Sequence, residues 1–174
     1  MKKHPLNRFN YCPVCGSKHF YVYDEKAKKC ADCHFIYYFN PSAAVACFIR
    51  NPHGELLFVR RAAEPAKGTL DLPGGFVDPY ESAEDAVRRE VREETQLEIS
   101  EIRYLFSIPN IYRYAGFDVH TVDLFYECMM PDFSMAVAED DADGIVISKP
   151  ENTHPEDFGL DSIKRGVEQY LNRL

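Results

Sequence analysis

The 174-residue chain contains no tryptophan and only nine glycines. It has no internal repeat and no low-complexity segment. Its longest apolar runs, such as Ala43 to Ile49, fall far short of the ~20 residues that span a bilayer. The stretch Met1-Lys2-Lys3-His4-Pro5 leads into polar residues, without the apolar core of a secretory signal. These absences exclude membrane-spanning, collagen-like and disordered classes and make a cytoplasmic globular protein the expectation. Positive charge is also short: 20 Lys and Arg stand against 28 Asp and Glu, a net charge of −8.

The deficit is uneven. Residues 1–40 carry seven basic residues against three acids, a net +4, and the remainder carries −12. An acidic bulk argues against a broad nucleic-acid surface and suits a divalent cation, or an anionic substrate brought in with one. The break in composition near Asn40-Pro41 divides the chain into segments 1–40 and 41–174.

The hydrophobic pattern gives the elements. Phe20 to Tyr23 and Phe35 to Phe39 read as short aromatic strands. Ala43 to Arg50 and Leu56 to Arg61, joined by the turn Asn51-Pro-His-Gly54, read as a hairpin. Thr69 to Leu72 is a short strand ending at Pro73-Gly74-Gly75. Residues 82–96 form a helix opened by the Ser82/Asp85 capping pattern. Strands are expected over 102–108, 111–115, 119–129 and 145–148, loops over 139–144 and 150–155, and an amphipathic helix from Asp161 to Leu174. Mixed strands with two helices make an α/β layered core.

Cys12, Cys15, Cys30 and Cys33 form two C-x2-C pairs 14 residues apart. Two such knuckles present four thiolates at the corners of a tetrahedron, the ligand set of structural Zn2+. Two disulfides or a redox dithiol are the competing reading, and disulfides need an oxidising compartment. A ~40-residue segment cannot bury enough core unaided, so the metal would fold it. Its scattered bases make a weak nucleic-acid binder. Cys47 and Cys128 stand alone and read as small buried apolar residues.

The helix carries the chemistry. At about 100° per residue, Ala83, Ala86, Val87, Val91 and Leu97 form the inward stripe. Glu84, Asp85, Arg88, Arg89, Arg92, Thr95 and Gln96 cover the solvent face. Glu90, Glu93 and Glu94 then fall on or beside the apolar stripe. Three carboxylates at i, i+3 and i+4 on an inward face lose water, repel one another and sit at the unfavourable end of the helix dipole. A cation among them resolves the conflict. By angle Arg89 and Arg92 point elsewhere, and hard oxygen ligands select Mg2+ or Mn2+ over zinc. Gly74 and Gly75 let backbone approach such a site closely.

From Gly75 the chain reads Gly75-x5-Glu81-x7-Arg89-Glu90-Val91-x-Glu93-Glu94-x-x-Leu97. This resembles the Nudix box, the signature of the Nudix hydrolase superfamily, with Gln96 where the family usually has Gly. The resemblance implies an α/β/α sandwich and hydrolysis of a diphosphate linkage in a nucleoside diphosphate derivative. By motif position Glu90, Glu93 and Glu94 would ligate magnesium with the Gly74 carbonyl, Glu81 would assist, and Arg89 would brace the acids. The water's proton would pass to Glu90 or to the acidic loop of Glu139, Asp140 and Asp141, which also reads as a plain exposed loop.

The four-cysteine ribbon running through Tyr38-Phe39-Asn40-Pro41 into the next strand resembles the zinc-ribbon Nudix proteins, which include NADH and FAD pyrophosphatases. Ser107-Ile108-Pro109-Asn110-Ile111-Tyr112 keeps only the Ser and a Pro of the NADH enzymes' signature. Tyr104, Phe106, Tyr112, Tyr114 and Phe117 either stack on a base or flavin or fill core and interface. The expectation is a cytoplasmic Mg2+- or Mn2+-dependent pyrophosphohydrolase with structural Zn2+. Its substrate would be a nucleotide such as FAD, NAD(H) or ADP-ribose, with a nucleoside monophosphate released. Nucleic acid is not an expected partner, and the aromatic strands offer a surface for a homodimer. The alternative is a Nudix-fold ligand sensor or nucleic-acid-associated regulator without catalysis.

Overall fold

The computed structural model describes residues 4–99, 101–114 and 117–174. Lys2, Lys3 and the final residue of the strand expected over 111–115 lie outside the described residues, as does the side chain of Tyr114. The chain divides into two compact units, Met1–Pro41 and Ser42–Leu174. Among the described residues, no helix is long and apolar enough to cross a membrane.

The first unit is a three-stranded antiparallel sheet of β1 (Phe20–Val22), β2 (Ala27–Cys30) and β3 (Ile36–Tyr38), in that order. Among the described residues, Cys12, Phe20 and Cys30 pack together with Phe35 against them, and Leu6 and Ala27 are also buried. The middle strand is hidden in the sequence because two of its four residues are lysines. Lys28 is buried even so: its Nζ donates to the Phe9 carbonyl at 2.5 Å and lies 5.1 Å from the Phe20 ring centroid.

The second unit contains β4 (Ser42–Arg50), β5 (Leu56–Arg61), β6 (Leu70–Asp71), α1 (Ala83–Thr95), β7 (Ile102–Tyr114), β8 (Phe117–Met129), β9 (Ala142–Ser148) and α2 (Asp161–Leu171). The strands form one mixed sheet ordered β6-β5-β4-β8-β7, with β9 on the other side of β5. β4 runs parallel to β8 along its whole length, and the other pairings are antiparallel. Alternate residues of a strand face opposite ways, and β4 obeys this. Val45, Cys47 and Ile49 pack with Ala86, Val87 and Val91 of α1. Ala46 and Phe48 pack with Ile163, Val167 and Tyr170 of α2. The sheet is therefore covered on both faces, the α/β/α sandwich that the box resemblance implies. Burying a side chain such as Phe48 or Phe125 contributes about 2 kcal/mol.

Several expectations are corrected. The two strands expected over 102–108 and 111–115 are one continuous β7 passing through Pro109. Proline is tolerated there because β7 is the edge of the sheet and Pro109 is exposed. The loop expected over 139–144 gives way at Ala142 to β9, which pairs with β5 across an irregularity between Val59 and Arg61. Within 150–157 the chain makes two short 3-10 turns, Pro150–Asn152 and Pro155–Asp157. Cys47 and Cys128 do not stand alone. They are buried together, with their sulfurs 3.2 Å apart beneath α1.

Thr95 leaves the solvent face on which helical angle puts it and is fully buried. The segment after β8 folds over the end of α1. There the Val137 N–H donates to the Thr95 carbonyl at 3.0 Å and the Glu139 N–H to the Glu94 carbonyl at 3.2 Å. These bonds satisfy carbonyls that a helix C-terminus leaves orphaned. Gln96 closes the helix in the left-handed region, φ 59 and ψ 13, and so does the work of the family's glycine despite its Cβ.

Candidate active site

The site is built where β4 and β5 part. They pair only at Ile49↔Leu57 and Arg50↔Leu56, after which β6 takes the place beside β5. The loop following β6 fills the gap along β4: Cys47 N–H donates to the Pro73 carbonyl, Val45 N–H to the Gly75 carbonyl, and Val77 N–H to the Ala43 carbonyl, at 2.8–3.0 Å. Gly74 and Gly75 are held by sterics on two sides. A Cβ at Gly74 would strike the Val45 carbonyl, and one at Gly75 would strike the Glu90 carboxylate. Bare backbone is thereby pressed against the acidic face of α1.

That face is ordered from its first turn. Ser82 caps the helix, its Oγ accepting from the Asp85 N–H at 3.1 Å. Seven residues on, Arg89 binds four partners. Its Nε and Nη2 grip both oxygens of Glu81 at 2.9 and 3.0 Å. Nη1 donates to Glu90 at 2.7 Å and to Glu93 at 3.0 Å, and Nη2 also donates to the Phe76 carbonyl at 3.0 Å. This corrects the angular reading, in which Arg89 points away. The angle places a Cα, whereas the long stem carries the guanidinium around the helix into the acids. Arg89 holds Glu81 below the ordinary carboxylate range and is itself held further above the ordinary arginine value by Glu81.

Glu94 is the carboxylate that Arg89 does not reach in these bonds. It is 7% exposed, and an oxygen accepts from the Gly74 N–H at 3.2 Å. Burial, reinforced by the charges of Asp71, Glu90 and Asp141, pushes its pKa up to about 9. Glu90 is also raised by burial, against the pull of Arg89. Glu93 is the outermost of the three, with its side chain 45% exposed. Glu90, Glu93 and Glu94 thus share one helix face but do not gather closely. Among the described residues, only the four cysteines form a cluster whose donor atoms all lie within 4.8 Å of one another. The acid face nonetheless fits a hard cation. It offers carboxylate oxygens beside close-packed backbone, and its innermost member carries a burial cost that no side chain offsets.

Of the acidic loop, Glu139 is turned aside: its carboxylate accepts from Gln96 Nε2 at 2.9 Å. Asp141 instead lines a cavity of about 190 Å3 that opens beside Gly74 and Gly75. Two walls of this cavity escaped sequence reasoning. Asp71, buried in β6, pairs with Arg61 at 2.5 Å, and burial raises its carboxyl in spite of that partner. Thr121 and Asp123 are buried on β8. The available signal was polar residues two apart in an apolar strand. The aromatic candidates separate: Phe106 is core, stacked on Phe125; Tyr104 is half exposed against Tyr126; Tyr112 lines the cavity.

In the first unit, the Cys12 and Cys33 sulfurs lie 3.6 Å apart, as do those of Cys15 and Cys30. Four sulfurs around one zinc at ~2.3 Å would stand about 3.8 Å apart. The Cys33 N–H holds the Cys30 thiol down, to about 6, while the Ser17 N–H fails to offset the neighbouring thiols that push Cys15 up to about 12. Four sulfurs gathered at nearly that spacing suit a cation at their centre.

The NUDIX domain profile matches residues 40–158. A NAD-capped RNA hydrolase NudC from Vibrio atlanticus is 29% identical over 133 residues, covering 75% of this chain and 48% of that protein. One from Haemophilus influenzae is 38% identical over 109 residues, covering 61% and 40%. The chain spans about half the length of the curated relatives it matches. A NUDIX hydrolase from Nitrosomonas europaea superposes with a TM-score of 0.71 at 20% identity, covering 94% of this chain and 91% of that one. The NUDIX domain of Shewanella oneidensis NrtR, complexed with ADP ribose, gives 0.65 at 22% identity, covering 78% and 90%. At those identities the two structures share the fold.

Proposed function

We propose that this chain, which belongs to the NUDIX hydrolase family, is a divalent-metal-dependent pyrophosphohydrolase. It splits the diphosphate linkage of a nucleoside diphosphate derivative such as ADP-ribose, NAD(H) or FAD and releases a nucleoside monophosphate. The observation that carries this reading is Glu94, a buried carboxylate bonded to the Gly74 N–H within the acid face of the box.

Glu90, Glu93 and Glu94, with the Gly74 carbonyl, would hold Mg2+ or Mn2+. Bound there, the ion supplies charge neutralisation at the diphosphate and makes a nearby water more acidic. The chain's own residues do the rest. Arg89 fixes the rotamers of Glu81, Glu90 and Glu93, so that the acids stand ready before substrate arrives. The packed loop from Pro73 to Val77 holds Gly74 against Glu94. Proton removal from the water needs a carboxylate within reach of the cavity. Asp141 on the loop lines that cavity and Glu90 on the helix packs against Gly75 at its edge, whereas Glu139 is engaged by Gln96. Cys12, Cys15, Cys30 and Cys33 would hold Zn2+, which would fold the first unit.

The test is a panel of dinucleotides and nucleoside diphosphate sugars with Mg2+, scored by phosphate released after phosphatase coupling. The name of the curated relatives adds NAD-capped RNA to the panel. Turnover of at least one nucleoside diphosphate derivative is expected, and none across the panel rejects the proposal. Binding without phosphate release would favour a ligand sensor.

A further inference from the structure

Beyond Gly74 and Gly75 the cavity reaches the first turn of α2, where Ser162 and Ile163 form part of its wall. Its volume of about 190 Å3 leaves room for one heterocyclic base. Thr121 and Asp123 lie two apart on β8, so both side chains leave the same face of the sheet, the face on which Phe125 meets the α2 core. Thr121 Oγ1 donates to one oxygen of Asp123 at 2.6 Å, and Asn110 Nδ2, from β7, donates to the other at 3.2 Å.

Ser162 lines the same cavity. It is fully buried, and its Oγ has no hydrogen-bond partner. A native fold rarely leaves a buried hydroxyl unpaired unless something else completes it. The helix that carries it opens at Leu160 without a side-chain cap.

This wall leaves carboxylate lone pairs and one buried hydroxyl uncommitted. Asp123 accepts one bond at each oxygen and keeps further lone pairs on both. The Thr121 proton is already spent on Asp123. Asp71, on the other side, is taken by Arg61 and by the Leu72 N–H at 2.9 Å. Arg61 is engaged with Asp71 and the Pro65 carbonyl, and the Ser162 hydroxyl is the buried group of this wall without a partner. A matching ligand brings an N–H2 group for Asp123 and, near it, a ring nitrogen that accepts from Ser162. Ala44 and Ala46 leave space for a flat ring against the sheet.

We infer that Asp123 and Ser162 are specificity-determining residues that read an aminopurine base, adenine in the substrates proposed above. Asp123 accepts the exocyclic amine and Ser162 donates to a ring nitrogen, while Thr121 and Asn110 position Asp123. This rests on the nucleotide-hydrolase reading for its place in catalysis, but base recognition is measured without the diphosphate. Hypoxanthine replaces the amine with a carbonyl, which sets an acceptor against a carboxylate.

The experiment titrates adenosine and inosine into the full chain, without added magnesium or manganese, by ligand-observed NMR. Adenosine binds at least about tenfold more tightly than inosine. Asp123→Asn abolishes or reverses the preference, because an amide can offer N–H to the carbonyl. Ser162→Ala weakens adenosine severalfold yet leaves the ligand-free protein melting at the same temperature or higher, since it removes an orphaned hydroxyl. Those opposite signs separate recognition from mere packing and survive if the Asp123 variant fails to fold. Equal affinity for the two nucleosides, no binding of either up to about 10 mM, or unchanged adenosine binding by Ser162→Ala overturns the inference. Adenosine preference without turnover of any nucleoside diphosphate derivative would reject the hydrolase reading alone and leave the base site standing.

Discussion

The Gly74 N–H donates to the Glu94 carboxylate across 3.2 Å, joining the loop that runs along β4 to the inward face of α1. One bond thereby ties together two segments 20 residues apart and sets a buried acid against bare backbone. Glu94→Gln keeps the shape and removes the charge. It is expected to lower kcat by about 100-fold or more while leaving the circular dichroism spectrum unchanged. Wild-type turnover by this variant would refute the assignment.

Arg89 makes a different kind of contribution, because it positions acids through a planar fork. Lysine cannot reproduce the double bond to Glu81 together with the bonds to Glu90 and Glu93. Arg89→Lys should cost about 1–2 kcal/mol in urea unfolding, discounted for partial exposure, and lower kcat about tenfold. Unchanged stability and unchanged rate together would show that the network is ornamental.

Gln96 holds a left-handed conformation that a side chain disfavours. Gln96→Gly should stabilise the second unit by about 0.5–1 kcal/mol, less whatever the exposed bond to Glu139 contributes. A lowered midpoint would mean that the Glu139 contact outweighs backbone strain.

Burial raises the carboxyl of Glu127, but the Tyr170 hydroxyl at 2.6 Å and Arg103 at 2.7 Å more than reverse this, so its folded pKa lies below the ordinary 4.5. A depressed carboxylate adds stability above its unfolded pKa and loses it as pH falls through the folded value. Thermal melting from pH 7 to pH 2 should therefore show Glu127→Gln with a shallower decline below about pH 4.5 than the wild type. Parallel curves would contradict the linkage.

The small core of Cys12, Phe20 and Cys30 cannot hold the first unit alone. Elemental analysis should find one zinc per chain, and Cys30→Ser should abolish it. Stripping the metal should collapse amide dispersion in residues 4–41 while β4 to α2 stay folded. A metal-free preparation with those signals intact would remove zinc from the account.

The acid triad, the cysteine pairs, both helices and the hairpin were legible as local patterns, because spacing along a helix or a knuckle is a property of consecutive residues. Lys28 in β2 escapes the local pattern, and Pro109 in β7 and Thr95 at the end of α1 contradict it, for one reason. Each breaks a local rule, and each is excused by a neighbour distant in sequence: Phe9 and Phe20, the open edge of the sheet, and the covering segment at Val137.

The sequence alone thus determined the family, the capped acidic helix and the four-thiol ribbon, since periodicity and short-range spacing encode them. Tertiary structure decided that Arg89 turns into the acids, that Asp141 and not Glu139 meets the cavity, and that Asp123 and Ser162 share one wall. Those facts depend on side-chain reach and on contacts between remote strands, which no local pattern carries.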